Sequence, residues 1–123
     1  MTKGTYVDGF VIPIPKKNKG KYKKMAREAL TIWKKFGALD YKECIIDESK
    51  PQFVTVTFPE MAKVKPGETV WFSFITYKSR RHRDSVNKKV MAYFDKKYQK
   101  ADMEMPFDMK RFAYGGFKVE VGM

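Results

Sequence analysis

The sequence has very few residues of the types that build metal and redox centres. It contains one histidine, His82, and one cysteine, Cys44, and no glycine-rich loop of the kind that binds phosphate. An internal disulfide is therefore excluded, and a cluster of cysteine and histidine ligands is not expected. Cys44 lies on a predicted strand, where we expect it to pack as a small apolar side chain. His82 lies between arginines in the first turn of a predicted helix and fits a solvated position, with haem ligation as the alternative. We expect no bound metal or cofactor.

Long apolar runs are also missing. No stretch approaches the roughly 20 residues that span a membrane, and the first residues show no apolar segment followed by a small-residue cleavage site. Hydrophobic residues nevertheless make up 43% of the 123 residues, which is too many for a disordered chain. This length and composition predict a single folded domain over 1–123. With one cysteine and no leader, we expect it in the cytoplasm.

Acidic residues are scarce relative to basic ones. The sequence has 26 lysines and arginines against 14 acidic residues, a net charge of +12. Such a charge attracts polyanions, and nucleic-acid binding would need the basic groups on one face, ideally beside exposed aromatic rings. We expect the sheet's aromatics to lie in the core instead. The simpler explanation is that these lysines line solvated helix faces. The candidate nucleic-acid contacts are Lys23, Lys24, Arg80, Arg81, Lys88 and Lys89.

Apolar periodicity and turn residues divide the chain into strands and helices. The pattern predicts strands over 5–15, 38–46, 70–77 and 110–121, and helices over about 18–36 and 79–98. Asn18 and Ser79 are candidate N-caps, and Gly37 fits the position after a helix end. The proline-rich excursion over 47–69 should hold a short helix near 59–64, and the connector over 101–109 should hold a helical turn.

The order strand, helix, strand, strand, helix, strand predicts an α+β fold. It is the ferredoxin-like βαββαβ arrangement, an antiparallel sheet with both helices on one face. In the strand 70–77, Phe72 and Phe74 project opposite to Trp71 and Ile75, so both faces of the sheet are apolar. The face without helices needs a cover. Stacking of a second copy, which gives a homodimer, is one solution, and folding back of 47–69 is the other.

Polar residues interrupt the apolar stripe of the second helix. Arg83 and Asn87 share the side that carries Val86 and Val90, and a buried charge needs a partner. Asp8, in the otherwise apolar first strand, is a plausible carboxylate partner. The functional hypothesis is a polar site where helix meets sheet, with Arg83 holding an anionic group; the alternative is a structural ion pair. The candidate ligand-binding residues are Asp8, Arg83, Asn87, Tyr114, Gly115 and Gly116.

Two adjacent glycines, Gly115 and Gly116, stand inside the last predicted strand. Glycine weakens a strand, and it often marks a bulge or a close approach of another group to the backbone. We expect a bulge here, or close approach of a partner sheet or connector. Contact with a bound ligand is the alternative.

Several stretches together resemble one family. These are "YVDGFVIPIPKKN", "YKKMA", "GETVWFSFITYKSRRHRDSVNKKVM" and "MPFDMKRFAYGGF". In matching order they resemble the YbaA-like family of small bacterial proteins, known as domain of unknown function 1428. Shared positions are Tyr6, Asp8, Gly9, Phe10, Arg83, Asp84, Asn87, Met91, Pro106, Phe107, Asp108, Lys110, Arg111, Tyr114, Gly115 and Gly116.

The resemblance implies a fold and little chemistry. Members of the family are similar to the dimeric α+β barrel superfamily, in which ferredoxin-like subunits stack their sheets across a two-fold axis. No catalytic role is attached to the shared positions, so none carries over. This chain departs from the family in being richer in lysine and in "VTVTFP", where many members have an acidic residue before Phe-Pro.

Three functions remain open. A homodimer that binds a small, possibly anionic, ligand in a helix–sheet or dimer-interface pocket is the first. Nucleic-acid binding through the basic helices is the second. The third is a cofactor-free monooxygenase, as in some branches of that superfamily, or an interaction scaffold without chemistry. Whether the protein is an enzyme is left open by the sequence.

Overall fold

The computed structural model describes residues 4–98 and 105–123. Four strands and two long helices follow the predicted order. The helices and strands are β1 (Tyr6–Pro15), α1 (Lys19–Lys35), β2 (Asp40–Ile45), α2 (Phe58–Met61), β3 (Glu68–Tyr77), α3 (Arg80–Tyr98) and β4 (Ala113–Lys118). Short 3-10 helices cover Lys16–Asn18 and Met109–Arg111. The second of these shares only Met109 with the connector in which a turn is expected, and it replaces the start of the strand predicted over 110–121. Residues 101–104 of that connector lie outside the described residues.

The strands form one antiparallel sheet in the order β2-β3-β1-β4. This order and the βαββαβ sequence of elements confirm the ferredoxin-like α+β fold. The two central strands, β1 and β3, pair over ten residues, from Tyr6 with Tyr77 to Pro15 with Glu68. β1 ends at Pro15, as the two prolines of the predicted strand indicate, and Pro13 pairs with Val70 inside it.

Both long helices pack on the same face of the sheet. Tyr22 and Ala26 of α1 contact Ile12 and Trp71 in one buried cluster. A second cluster joins Ile32 of α1 and Val86 and Val90 of α3 to Ile75 and Tyr77 of the sheet. We call this side of the sheet the helix face. Its burial of alternate strand residues supplies the main hydrophobic driving force for the fold.

The helix ends follow the expected chemistry only in part. Ser79 caps α3, since its Oγ accepts a hydrogen bond from the backbone N–H of His82 at 3.0 Å. Gly37 follows α1 with φ +109°, a left-handed conformation that suits glycine. Asn18 precedes α1, but its side chain donates to the carbonyl of Pro106 at 2.9 Å rather than capping the helix.

The opposite side, which we call the open face, has no long helix over it. It carries Val7, Gly9 and Val11 of β1, with their partners on β3 and β4. Phe72 is 42% exposed and Phe117 is 61% exposed. The expectation that the sheet's aromatics are used in the core is wrong here, because no part of the described chain reaches far enough to cover these rings.

The excursion between β2 and β3 borders the open face without covering it. Phe58 of α2 lines a shallow hollow there, together with Phe72 and Phe117. A capping box starts α2: Thr57 Oγ accepts from the N–H of Glu60, whose carboxylate accepts from the N–H of Thr57. The alternative in which 47–69 folds back over the face without helices is therefore only partly confirmed.

β4 is regular, so the expected bulge is wrong. Its six residues pair one for one with β1, including Gly115 with Gly9 and Gly116 with Asp8. Neither Gly115 nor Gly116 has a positive φ. A different constraint must therefore account for these glycines. In the part of the chain described, no helix is both long and apolar enough to cross a membrane.

Candidate functional site

Asp8 and Arg83 form an ion pair where α3 begins above the sheet. Asp8 is 1% exposed on the helix face of β1, and the Arg83 side chain is 11% exposed. Nη1 of Arg83 lies 2.6 Å from Oδ1 of Asp8. A buried carboxylate needs such a partner, because desolvation of an unpaired charge costs several kcal/mol. This is the pairing that the polar interruptions in the sequence predict.

Tyr114 completes a three-residue cluster on the neighbouring edge strand. Its hydroxyl donates to Oδ1 of Asp8 at 3.1 Å and accepts from Nη1 of Arg83. Burial, with the nearby negative charge of Asp8, raises the pKa of Tyr114 to about 12. The phenol is therefore protonated at neutral pH. The Arg83 guanidinium also lies over the ring of Tyr6, 5.0 Å from its centroid, and its Nε donates to Asp84 at 2.7 Å.

Gly116 is explained by this cluster. A Cβ added to Gly116 would lie 2.4 Å from the hydroxyl oxygen of Tyr6 and 3.0 Å from Nη1 of Arg83. The first separation is shorter than Cβ contacts allow and the second is a tight contact, so the Tyr6 or Arg83 side chain would have to shift. Gly115 projects to the opposite side of the sheet, where the ring of Phe117 lies 3.5 Å from the position of an added Cβ. The two glycines therefore serve different faces.

Asn87 lies one turn further along α3 and takes part in a separate set of hydrogen bonds. Its Oδ1 accepts from the hydroxyl of Tyr77 at 3.2 Å and from Nε1 of Trp33 at 3.3 Å. Trp33 Nε1 also donates to the hydroxyl of Tyr77 at 3.0 Å. These bonds tie α1, β3 and α3 together. The structure thus assembles Asp8, Arg83 and Tyr114, with Gly116 against them, and engages Asn87 elsewhere.

A groove of about 360 Å³ opens at the other edge of the sheet, between α1 and β2. Its mouth carries three exposed basic residues of α1, Lys19, Lys23 and Arg27. They recur every four residues and therefore share one side of the helix. Among the described residues, none of the three forms a salt bridge. The remaining lining residues are Ala26, Leu30, Tyr41, Glu43, Ile45 and Trp71.

Glu43 places a half-buried carboxylate in this groove. The hydroxyls of Tyr22 and Tyr41 donate to it at 2.6 and 2.7 Å, and the hydroxyl of Ser73 donates as well. Burial and the charge of Glu43 raise the pKa values of Tyr22 and Tyr41 well above their usual value. Glu43 forms no salt bridge within 4–98 and 105–123. It is therefore a negative charge held by neutral donors.

Trp71 forms part of the groove wall and is 4% exposed. Its ring packs against Tyr22 with centroids 4.8 Å apart. Its indole N–H is buried and meets no acceptor among the residues described. Buried donors are nearly always satisfied in folded proteins, so an unpaired one beside a groove is notable.

This groove is absent from the sequence-based predictions. Its signal is the alternation in "DYKECI", where Tyr41, Glu43 and Ile45 share one side of β2. The apolar neighbours on that side predict that Glu43 points toward the helices. Like Asp8 in β1, Glu43 is an acidic residue on the apolar side of a strand, and such a placement indicates a buried carboxylate that needs partners.

The two reactive residue types lie away from the groove. The Nδ1 atom of His82 accepts from the N–H of Lys78 at 2.9 Å, and burial, with Lys78 and Lys89, lowers the pKa of His82. His82 is half-buried, so the expectation of a solvated histidine is only partly met. Cys44 is a free cysteine opposite Phe72 on the open face, partly buried as a small apolar residue.

The basic residues proposed for nucleic-acid contacts are all exposed. They lie on α1 and α3, which pack on the same face of the sheet, so they belong to one layer of the molecule. The exposed rings of Phe72 and Phe117 lie on the other face. The basic side chains that would bind a nucleic-acid backbone and the rings that would stack on its bases therefore lie on opposite faces of the sheet.

The fold and the arrangement of these residues define a ferredoxin-like α+β protein with a buried ion-pair cluster at one sheet edge and a basic-rimmed groove at the other. The family model described as "Protein of unknown function (DUF1428)" matches residues 5–109, and the chain belongs to this family. It is 41% identical over 113 residues to "Uncharacterized protein YbaA" of Escherichia coli, covering 92% of this chain and 94% of that protein. The protein of the same name from Shigella flexneri gives the same values.

Proposed function

We propose that this protein is a cytoplasmic homodimer that binds a small organic ligand in the groove between α1 and β2. The observation that carries the proposal is the unpaired charge at that groove. Three lysine and arginine side chains of α1 and the carboxylate of Glu43 face it without ionic partners in the described chain. Small-molecule sites typically combine apolar walls with a few such polar groups.

The cluster of Asp8, Arg83 and Tyr114 fits a supporting role better than an anion site. Nη1 and Nε of Arg83 are already committed to Asp8, Tyr114 and Asp84. Two carboxylates beside one guanidinium leave a local net charge of −1, which disfavours a further anion. We therefore propose that this cluster fixes the start of α3 against β1 and β4.

The open face supports the dimer, in the manner of the dimeric α+β barrel superfamily. The face offers exposed rings and a hollow of about 340 Å³ floored by Gly9, Ala113 and Gly115. In a two-fold interface the same patch of both copies meets itself, and a face with both projections and a hollow suits that arrangement. The middle of this face, formed by Val7, Gly9 and Val11 of β1 and their partners on β3 and β4, carries no charge, so two copies of a protein with net charge +12 can meet there. Charged residues lie at its margins: Glu68 at the start of β3, and the paired Asp40 and Lys42 of β2. Stacking on this side leaves the groove open.

The dimer is tested by the molar mass of the Phe72→Lys variant in solution. We expect the wild-type protein at the mass of two chains and the variant at the mass of one, because the lysine would be buried unpaired. Phe53→Lys is the matched control, since Phe53 is a fully exposed ring outside the sheet. A wild-type monomer, or a Phe72→Lys dimer, contradicts the proposed interface.

Nucleic-acid binding is a second candidate, supported by the common helix layer of the basic residues. Its affinity would fall steeply with salt, because each neutralised phosphate releases counterions. Charge reversal of Lys88 and Lys89 should then weaken RNA binding, whereas Phe72→Lys should not. Equal binding of RNA and an unrelated polyanion such as heparin would show net charge alone.

A further inference from the structure

The groove between α1 and β2 combines charges of both signs around an apolar centre. Arg27 and Lys23 lie on its helix side, and Glu43 lies on its strand side. The same lining includes Leu30, Ile45 and Trp71, which supply apolar surface. A ligand that complements this arrangement needs an anionic group, a cationic donor and an apolar body.

The surroundings of Glu43 indicate which donor group a ligand should bring to it. An ionised carboxylate has about four lone-pair positions, and three are used by hydroxyl donors. These donors are neutral, so the negative charge itself has no cationic partner within the described chain. An ammonium group is the complement that satisfies both the free lone pair and the charge.

The basic side chains at the mouth of the groove indicate the second charged group of the ligand. They are exposed at the mouth, and none has an acidic partner among the residues that the structure describes. A carboxylate at the mouth would be paired by Arg27 or Lys23, and guanidinium groups bind carboxylates in a two-point geometry.

We propose that the groove takes an apolar zwitterion, a molecule of the amino-acid class with an aromatic or branched side chain. This inference rests on the proposed ligand site and specifies its ligand. The ammonium group binds Glu43, the carboxylate binds the basic rim, and the side chain lies against Leu30, Ile45 and Trp71. A pure anion leaves Glu43 unpaired, and a pure amine faces three positive charges.

Three probes with the same ring separate these possibilities. L-phenylalanine carries both charges, 3-phenylpropionate lacks the ammonium group, and 2-phenylethylamine lacks the carboxylate. We expect the full-length wild-type protein to bind phenylalanine roughly tenfold or more tightly than either partial probe, the effect of one charged hydrogen bond. Calorimetry gives the affinities, and the NMR signal of the Trp71 indole N–H reports binding at the groove.

Two variants assign the charges. Glu43→Gln removes the negative charge while keeping a hydrogen-bonding side chain, and should abolish the preference for phenylalanine over 3-phenylpropionate. Arg27→Gln should weaken phenylalanine and 3-phenylpropionate together and spare 2-phenylethylamine. Lys34→Gln is the control, because it removes one positive charge from α1 outside the groove. Thermal unfolding of each variant checks that the fold is retained.

The outcomes are distinct. Binding of 3-phenylpropionate as tight as that of phenylalanine, or phenylalanine binding unchanged in Glu43→Gln, overturns the zwitterion. If no probe shifts the Trp71 signal at millimolar concentration while purified dimer carries another small molecule at the groove, the ligand class is wrong and the proposed function stands. If neither a probe nor a co-purified molecule occupies the groove, both the zwitterion and the groove as a ligand site are contradicted.

Discussion

The guanidinium of Arg83 lies 2.6 Å from the carboxylate of Asp8, across a separation of 75 residues in sequence. The pair connects the first strand to the second long helix, and Tyr114 of the last strand joins it. Three elements from both ends of the chain are thereby fixed at one point. A buried pair of this kind is costly to break, because the remaining partner keeps an uncompensated charge.

Removing either partner should therefore destabilise the fold. We expect Arg83→Ala to lower the free energy of unfolding by about 3 kcal/mol, the low end for breaking a buried pair. Asp8→Asn should also destabilise, because Arg83 loses its buried counter-charge. Urea unfolding measures both. Lys97→Ala, which breaks the exposed pair with Glu28, is the control and should have a much smaller effect. If all three variants lose equal stability, the special role of this pair is wrong.

The two glycines of β4 should respond differently to substitution. Gly116→Ala places a methyl group against Tyr6 and Arg83 and should destabilise the protein by roughly 1–3 kcal/mol, the usual cost of overpacking. Gly115→Val should displace the Phe117 ring on the open face and weaken dimerisation more than it weakens the subunit fold. Unfolding curves and molar mass separate the two effects. A dimer as strong as wild type in Gly115→Val contradicts this assignment of faces.

His82 gives a pH prediction that one NMR signal can test. Burial and two lysines lower its pKa in the folded state, so the unfolded chain binds the proton more readily. Its contribution to stability is therefore complete above the unfolded value of about 6.5 and is lost as the pH falls. Since the chain has one histidine, the ring protons titrate without overlap.

We expect that titration to show a midpoint below the ordinary histidine value. In His82→Gln, the loss of stability between neutral and mildly acidic pH should be smaller than in the wild-type protein. A midpoint at the ordinary value would show that the histidine is solvated, and a midpoint above it would show that burial and the two lysines do not control its pKa.

Much of the fold could be predicted from the sequence, because apolar periodicity and turn residues agree in most segments. The apolar residues from Tyr22 to Phe36 recur at helical spacing and are followed by Gly37, a pattern typical of a helix that ends there. Arg83 in an apolar stripe and Asp8 in an apolar strand are each anomalous alone. Together they predict the pair, because a buried charge needs an opposite one.

The rest depended on tertiary placement. The exposure of Phe72 could not be read from its strand, because a run apolar on both sides is the same whether a face is covered by the chain or by a partner. Gly116 is constrained by the distant side chains of Tyr6 and Arg83, not by a local bulge. Glu43 alternates with Tyr41 and Ile45 in sequence, but its donors Tyr22 and Ser73 come from α1 and β3, and only the tertiary fold brings them together.

The measurement that tests the account most directly is native mass spectrometry of freshly purified, tag-free protein, compared with its denatured mass. We expect a dimer that carries one small molecule per subunit, which is lost on denaturation and depleted in Glu43→Gln. A monomer would contradict the pairing of open faces. A dimer whose extra mass is unchanged in Glu43→Gln would contradict the groove as the ligand site.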